Sequence, residues 1–240
     1  MRNRQTVAVG MIREVVASWP SVGYTLGLKV GRADDVARDS PRGCLDEPPV
    51  HMDQQERAVM DLNQISARLY VGSCPRQPQD AETLQKAHGV SAVLSLQSED
   101  DLRYWQIDWD AMSARYAELG VVVRRVPVWD FNADDLRRRL PECVHALGDL
   151  LDRGHCVYVH CNSGVNRSPS TIIAYLHWIE GWDLLQAARH VQACRRCEPY
   201  LPAIIAATED RARAAANVAG EGASSCARFA DGNGGSSRTA

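Results

Sequence analysis

The chain reads as an α/β protein built on a single central mixed sheet flanked by helices. Three observations predict it. Short apolar runs of β-forming residues alternate with helix-length amphipathic segments from about residue 64 to 216. VSAVLSL (90–96) and the run VYV (157–159) are apolar on both faces, as strands covered from both sides must be. Gly89 and Gly120 stand just past two of the helical patterns, where a left-handed cap ends a helix.

The elements follow in order. QISARLYVG (64–72) reads as a strand, and DAETLQKAHG (80–89) as a helix stopped by Gly89. VSAVLSL (90–96) is a buried strand. DWDAMSARYAELG (108–120) is a helix with an acidic first turn, and VVVRRVPV (121–128) is the next strand. Residues 140–151 place Leu140, Val144, Leu147 and Leu151 on one face, with Pro141 acceptable in a first turn. A strand over 155–160 precedes helices near 168–180, 183–197 and 201–216. Residues 60–216 are enough for one well-buried core.

The flanks carry less pattern. Residues 1–59 form a weakly patterned extension whose stretch 32–51, RADDVARDSPRGCLDEPPVH, reads as a linker. Residues 1–33 are basic, with Glu14 their one acid; they suggest either an organelle transit peptide or a start placed too early, since Met52 or Met60 would open a tidier domain. The Gly/Ser/Ala-rich stretch 217–240 is expected to be a disordered tail. Formal net charge is −3, so nothing draws the whole chain to nucleic acid or an anionic membrane, and no apolar run is long enough to span a bilayer. Eight cysteines without a signal peptide point to a reducing compartment and no disulfide framework; a cytoplasmic monomer is expected. Cys194-x-x-Cys197 near His190 lacks a second ligand pair and sits in a helical pattern, so two small helix residues are expected there and no metal or other cofactor.

Chemistry concentrates in VYVHCNSGVNRSPSTIIAYLHW (157–178). A strand delivers Cys161 into the loop Asn162-Ser163-Gly164-Val165-Asn166, which ends at Arg167 and opens directly into a helix at Ser168–Pro169. A cysteine attacks only as thiolate and needs a positive environment. Backbone N–H groups at the helix start favour an anion, Gly164 permits close approach of the backbone, and Asn166 is a residue that accepts left-handed geometry. Arg167 can hold two oxygens of a phosphate at once. The loop is therefore a cradle for a tetrahedral oxyanion with a nucleophile at its base.

His160-Cys161-(x5)-Arg167-Ser168 resembles the signature of the cysteine-dependent protein tyrosine phosphatases, in particular the dual-specificity class. The low-molecular-weight phosphatases and arsenate reductases share the spacing but carry it near the N-terminus, and here it lies late. The resemblance implies a dual-specificity phosphatase-like fold and a two-step reaction. Cys161 attacks phosphorus, Arg167 and the loop amides steady the equatorial oxygens, and an acid protonates the leaving oxygen before activating the hydrolytic water. Ser168 would donate to the departing thiolate, and His160 would brace the loop. The acid is expected upstream, at Asp130, Asp134 or Asp135. Asp130 is favoured because it directly follows a strand and lies between Trp129 and Phe131, which would desolvate it and favour its protonated form. Asp134 and Asp135 look like first-turn helix residues.

The neutral loop residues argue against a polyanionic inositol lipid. The segments DLRY (101–104), DF (130–131) and DLRRRLP (135–141) resemble the glucan phosphatases, dual-specificity relatives that dephosphorylate starch or glycogen. The similarity spans roughly residues 64 to 210. Tyr104, Trp105, Trp109, Trp129 and Phe131 cluster near the expected acid, and flat aromatic faces suit sugar rings; about half of them are expected to be core instead. Tyr104, Trp129 and Phe131, with the loop residues 162–166, are the expected substrate contacts. Ser163 and Asn166 depart from that family, which usually has Ala and Gly there. No carbohydrate-binding module is expected in residues 1–59. Phosphorylated α-glucan is thus the favoured substrate, a phosphotyrosine, phosphoserine or phosphothreonine protein the runner-up, and an inactive phosphate-binding docking module the remote alternative.

Overall fold

Strand β5, Val157–His160, is buried along its whole length and sits at the centre of the sheet. The computed structural model describes residues 60–230, with side chains to residue 217. The linker, the candidate transit peptide and residues 231–240 lie outside the described residues.

Five strands run in the order β1 (Leu62–Ser66), β2 (Leu69–Gly72), β5, β3 (Ala92–Ser95), β4 (Val122–Arg125). β1 pairs antiparallel with β2, and the other pairings are parallel. The stretch 64–72 is therefore not one strand. It is the end of a hairpin that turns at residues 67–68, with a register shift between Gln64 and Ser66. Its alternation continues through the turn, which hides the break from the sequence pattern.

The helices are α1 (Pro78–His88), α2 (Glu99–Tyr104), α3 (Trp109–Glu118), α4 (Ala133–Asp152), α5 (Arg167–Trp178), α6 (Leu184–Cys194) and α7 (Leu201–Ala230). Gly89 and Gly120 take the left-handed conformation expected of them. Helix α4 starts seven residues before the pattern 140–151: Asn132 caps it by accepting the Asp135 amide, and Pro141 lies inside rather than in the first turn. Its buried stripe runs from Leu136 through Leu140, Val144 and Leu147 to Leu151, so apolar packing offsets the bond that Pro141 cannot donate. Helix α7 runs on to Ala230, past the boundary at 216 that composition suggests; residues 211–217, RARAAAN, are rich in strong helix formers.

Two cores fill the layers. The larger joins α4, α5, α6 and α7 to one side of the sheet. A smaller one packs α1 and α3 on the other, through Leu84, Met112 and Tyr116. The parallel strands all end at one edge, where β5 gives way to Cys161 and β3 to Leu96–Ser98. That edge is where α/β sheets place their sites.

Candidate active site

Cys161 leaves β5 buried, and Ser168 Oγ donates to its Sγ across 3.4 Å. His160 donates from Nδ1 to the Cys161 carbonyl at 3.0 Å and stacks on Tyr158. Full burial holds the His160 imidazole down at about 4, against the pull of that carbonyl. His160 is therefore a neutral brace behind the loop.

The carbonyls of the loop all find partners around it. Cys161 O accepts from His160, Asn162 O from the Cys74 amide at 2.8 Å, and Ser163 O and Gly164 O from the Arg195 side chain, each at 2.8 Å. Val165 O accepts from the Glu198 amide at 2.9 Å and Asn166 O from Ser170 in α5 at 3.0 Å. In a trans peptide the N–H points opposite to the C=O, so each outward carbonyl turns the next amide inward. The result is a concave row of N–H groups at the start of α5. Gly164 supplies the one left-handed turn, with φ +67°, and a Cβ there would collide with the Gly72 carbonyl. Asn166, expected to share that geometry, has φ −118°; its amide instead donates to Glu198 O at 2.9 Å.

Arg167 is 2% exposed. A buried guanidinium must be paired, and one side of it is: Nη1 donates to Asp101 Oδ2 and Val128 O, both at 2.7 Å. Nε and Nη2 are buried without a hydrogen bond. Nη2 lies 2.9 Å from Asp130 Oδ2, an ion pair whose N–H direction is out of line. The two unbonded donors are one edge of the planar fork, the edge that matches two oxygens of a phosphate.

Asp101 holds this arginine. Burial pushes its carboxyl up, but bonds from Arg167, Asn162 and Ser98 together pull it below the ordinary carboxylate value. Asn162 Nδ2 bridges Asp101 (2.7 Å) and Asp130 (2.9 Å), while its Oδ1 accepts from Gln97 Nε2 (2.9 Å). The Asn162 side chain is thus engaged with the protein rather than turned to a ligand. Asp130 arrives on a segment that extends β4: Val126 and Val128 donate to Ser95 O and Leu96 O, with Pro127 between them where no donor is needed. Asp135 closes the segment by accepting the Trp129 amide at 2.9 Å, and Asp134 stands exposed in the first turn of α4.

The aromatic flanks differ from expectation. Trp129 is 58% exposed and Phe131 102%, so neither ring covers the Asp130 carboxylate. Its company is Arg167 and Asn162 instead. Phe131 has φ +54°, a backbone conformation uncommon outside glycine, and its ring projects into solvent. Tyr104, one turn on from Asp101, is 77% exposed. Trp105 and Trp109 are half-buried against Cys74, Leu102 and Ile107, and Trp178 and Trp182 pack on the main core. Cys197 is in that core, its thiol pushed up to about 11 by burial, and Cys194 packs beside it.

Four participants were not visible as such in the sequence. Asp101 and Gln97 lie in a short segment whose signals, the capping box Ser98-x-x-Asp101 and the DLRY resemblance at 101–104, assign them no role. Arg195 meets the loop only through tertiary contact. Tyr200, half exposed, donates its own amide to Ser170 Oγ, two residues after the Glu198 amide that bonds Val165 O.

A model of the family described as dual specificity phosphatase, catalytic domain, matches residues 69–201. Phosphoglucan phosphatase LSF1, chloroplastic, of Arabidopsis thaliana is 34% identical over 167 residues, covering 70% of this chain and 28% of that protein. Phosphoglucan phosphatase DSP4, amyloplastic, of Castanea sativa is 36% identical over 154 residues, 63% of this chain and 40% of that protein. Laforin of Mus musculus is 35% identical over 148 residues, 57% of this chain and 44% of that protein. The chain therefore spans less than half the length of these relatives. Among solved structures, PTPMT1 in complex with PI(5)P is similar at TM-score 0.54 and 22% identity, over 64% of this chain and 98% of that one. Tk-PTP in its active form is similar at TM-score 0.51 and 23% identity, over 62% and 94%. At these identities the structural likeness speaks to the fold alone.

Proposed function

Since the chain belongs to the dual-specificity phosphatase catalytic-domain family, we propose that it is a cysteine-dependent phosphatase whose substrate is phosphorylated α-glucan. The observation that carries the reaction is the paired, unbonded Nε and Nη2 of Arg167, buried at the mouth of an amide-lined loop that starts at Cys161. A phosphate monoester entering there places its equatorial oxygens on that edge and on the loop N–H groups. Cys161, as thiolate, attacks phosphorus and forms the cysteinyl-phosphate, while Asp130 gives its proton to the departing oxygen. Asp130 then takes a proton from water as that water attacks phosphorus. The S–P bond breaks, inorganic phosphate leaves, and Ser168 donates to the returning thiolate.

Three exposed rings support glucan as the substrate. Trp129 and Phe131 flank Asp130, and Tyr104 lies one helical turn on from Asp101, the two carboxylates that pair with the arginine on which a phosphate would sit. The faces of exposed aromatic rings suit the C–H edges of sugars. Two relatives with 34% and 36% identity carry the name phosphoglucan phosphatase. Cys161, Arg167, Asp130 and Ser168 are the proposed catalytic set, and the domain is taken as residues 60–216. Among the described residues no helix is long and apolar enough to cross a membrane. A cytoplasmic location is the working assignment; the plastid designations of two relatives make import through residues 1–33 its competitor, to be decided by fractionation.

The deciding measurement is phosphate release from phosphorylated amylopectin and from a phosphotyrosine peptide by the full chain, with Cys161→Ser as blank. Glucan is expected to be turned over with the higher kcat/KM, and Trp129→Ala and Phe131→Ala to lower that value while sparing a small aryl phosphate. Turnover of the peptide alone assigns the enzyme to phosphoproteins. Failure of Cys161→Ser to abolish release sinks the mechanism.

A further inference from the structure

The reaction uses one buried arginine, and the fold contains a second that it does not use directly. Arg195, at the C-cap of α6, is 5% exposed. Its guanidinium donates from Nε to Gly164 O, from Nη2 to Ser163 O and Asp61 Oδ1, and from Nη1 to Asn63 Oδ1, all at 2.8 Å. Four acceptors lie around one planar fork. Two belong to the phosphate loop and two to the start of the β1 hairpin. A lysine has neither the planarity nor the donors to serve them together.

The two loop carbonyls are those of the peptides that carry the Gly164 and Val165 N–H groups. A planar trans peptide cannot turn its carbonyl out without turning the following N–H in. A cation on the carbonyl side also polarises each peptide, which strengthens the N–H as a donor. The neighbourhood leaves little slack: a Cβ on Gly164 would meet Gly72 O and lie 2.9 Å from Arg195 Nη2. One on Gly72 would lie 2.5 Å from the Tyr158 hydroxyl. Asp61, which closes the far side of the fork, has a carboxyl below its ordinary value; burial raises it, and Arg195 and Ser73 outweigh that.

We propose that Arg195 is a positioning residue of the phosphoryl-transfer step, holding the Ser163 and Gly164 carbonyls outside the loop so that the Gly164 and Val165 amides face the transferred group. It acts through the loop and never touches substrate. This rests on the phosphatase reading and is independent of whether the substrate is a glucan.

The test compares wild-type full chain with Arg195→Lys and Asp61→Asn. Three quantities are measured: the thermal midpoint, kcat and KM for para-nitrophenyl phosphate, and Kd for inorganic tungstate by calorimetry. For folded Arg195→Lys, kcat is expected to fall by about 10- to 100-fold and tungstate Kd to rise by about tenfold, the scale of an ångström-level misplacement in a site. A purely structural role lowers the midpoint but leaves kcat and tungstate Kd of the folded protein at wild-type values; that result overturns the proposal. Should Arg195→Lys fail to fold, Asp61→Asn decides, since that carboxylate is largely exposed and anchors Nη2, the nitrogen that also holds Ser163 O. A rise of about two- to fivefold in tungstate Kd supports the proposal, on the scale of one partly exposed ion pair, and an unchanged Kd overturns it. A wild-type protein that binds tungstate but hydrolyses no aryl phosphate counts against the phosphatase reading alone, because the tungstate comparison still measures the loop.

Discussion

Arg167 divides its guanidinium between structure and chemistry. Nη1 is spent on Asp101 and the Val128 carbonyl, which fixes the plane of the group; Nε and Nη2 are buried without a hydrogen bond. Asp130 leans on that second edge through Nη2. Asp130, the proposed acid, and an incoming phosphate would therefore compete for the same donor. Asp130→Asn should lower kcat by about 10²- to 10⁴-fold, the scale of general acid catalysis, yet bind tungstate more tightly because a competing carboxylate charge is gone. Asp134→Asn, on an exposed first-turn residue, should change neither. Equal losses at both positions, measured by steady-state kinetics, would reject Asp130 as the acid. Cys161, Arg167, Ser168 and Asp130, the proposed catalytic set, could be singled out in the sequence because each sits in, or one loop from, a short motif with its own chemistry. Asp101 and Arg195 were not, because they reach the loop from 66 and 31 residues away in sequence, and no local pattern records which distant charge a buried arginine or carbonyl will meet.

At the level of elements, the site is held by starts and ends rather than by the middles of helices and strands. The segment carrying Asp130 is the clearest case. It is tied to β3 by two amides and to α4 by the Asp135 carboxylate, which accepts the Trp129 N–H. Asp135→Ala should cost about 1 kcal/mol of stability, the usual worth of a single capping or buried hydrogen bond. It should also reduce kcat more than it weakens tungstate binding, since it frees the segment carrying Asp130 and leaves the loop alone. Urea unfolding read against the kinetics separates the two effects; a loss in tungstate affinity equal to the loss in kcat would contradict this assignment. Element types were largely readable from periodicity, whereas some boundaries were not. The β1–β2 turn is masked by continued alternation, α4 begins earlier because Asn132 caps it ahead of Pro141, and α2 is too short and too charged to leave a helical stripe.

Over the whole molecule, the site is coupled to stability through His160. Its imidazole is held at about 4 by burial, against an ordinary 6.5. Between those values the unfolded chain binds a proton that the folded chain refuses. Stability is therefore undiminished above pH 6.5, falls as pH drops through the window, and loses about 3 kcal/mol by pH 4 from this group. Urea midpoints at pH 7 and pH 4.5 should show the decline, and His160→Gln should flatten it. A slope unchanged by that substitution would mean the acid sensitivity lies elsewhere.

The central place of β5 has a further consequence, for the order in which the molecule comes together. Its neighbours are β2, nearly 90 residues earlier, and β3, about 65 earlier, so neither pairing forms until most of the domain has been synthesised. The loop that follows β5 then draws on Cys74, Asp101, Val128 and Arg195, each from a different part of the chain. No nascent or half-folded chain can present the reactive thiol in its working surroundings. The surroundings of Cys161 are completed only with the last long-range contacts.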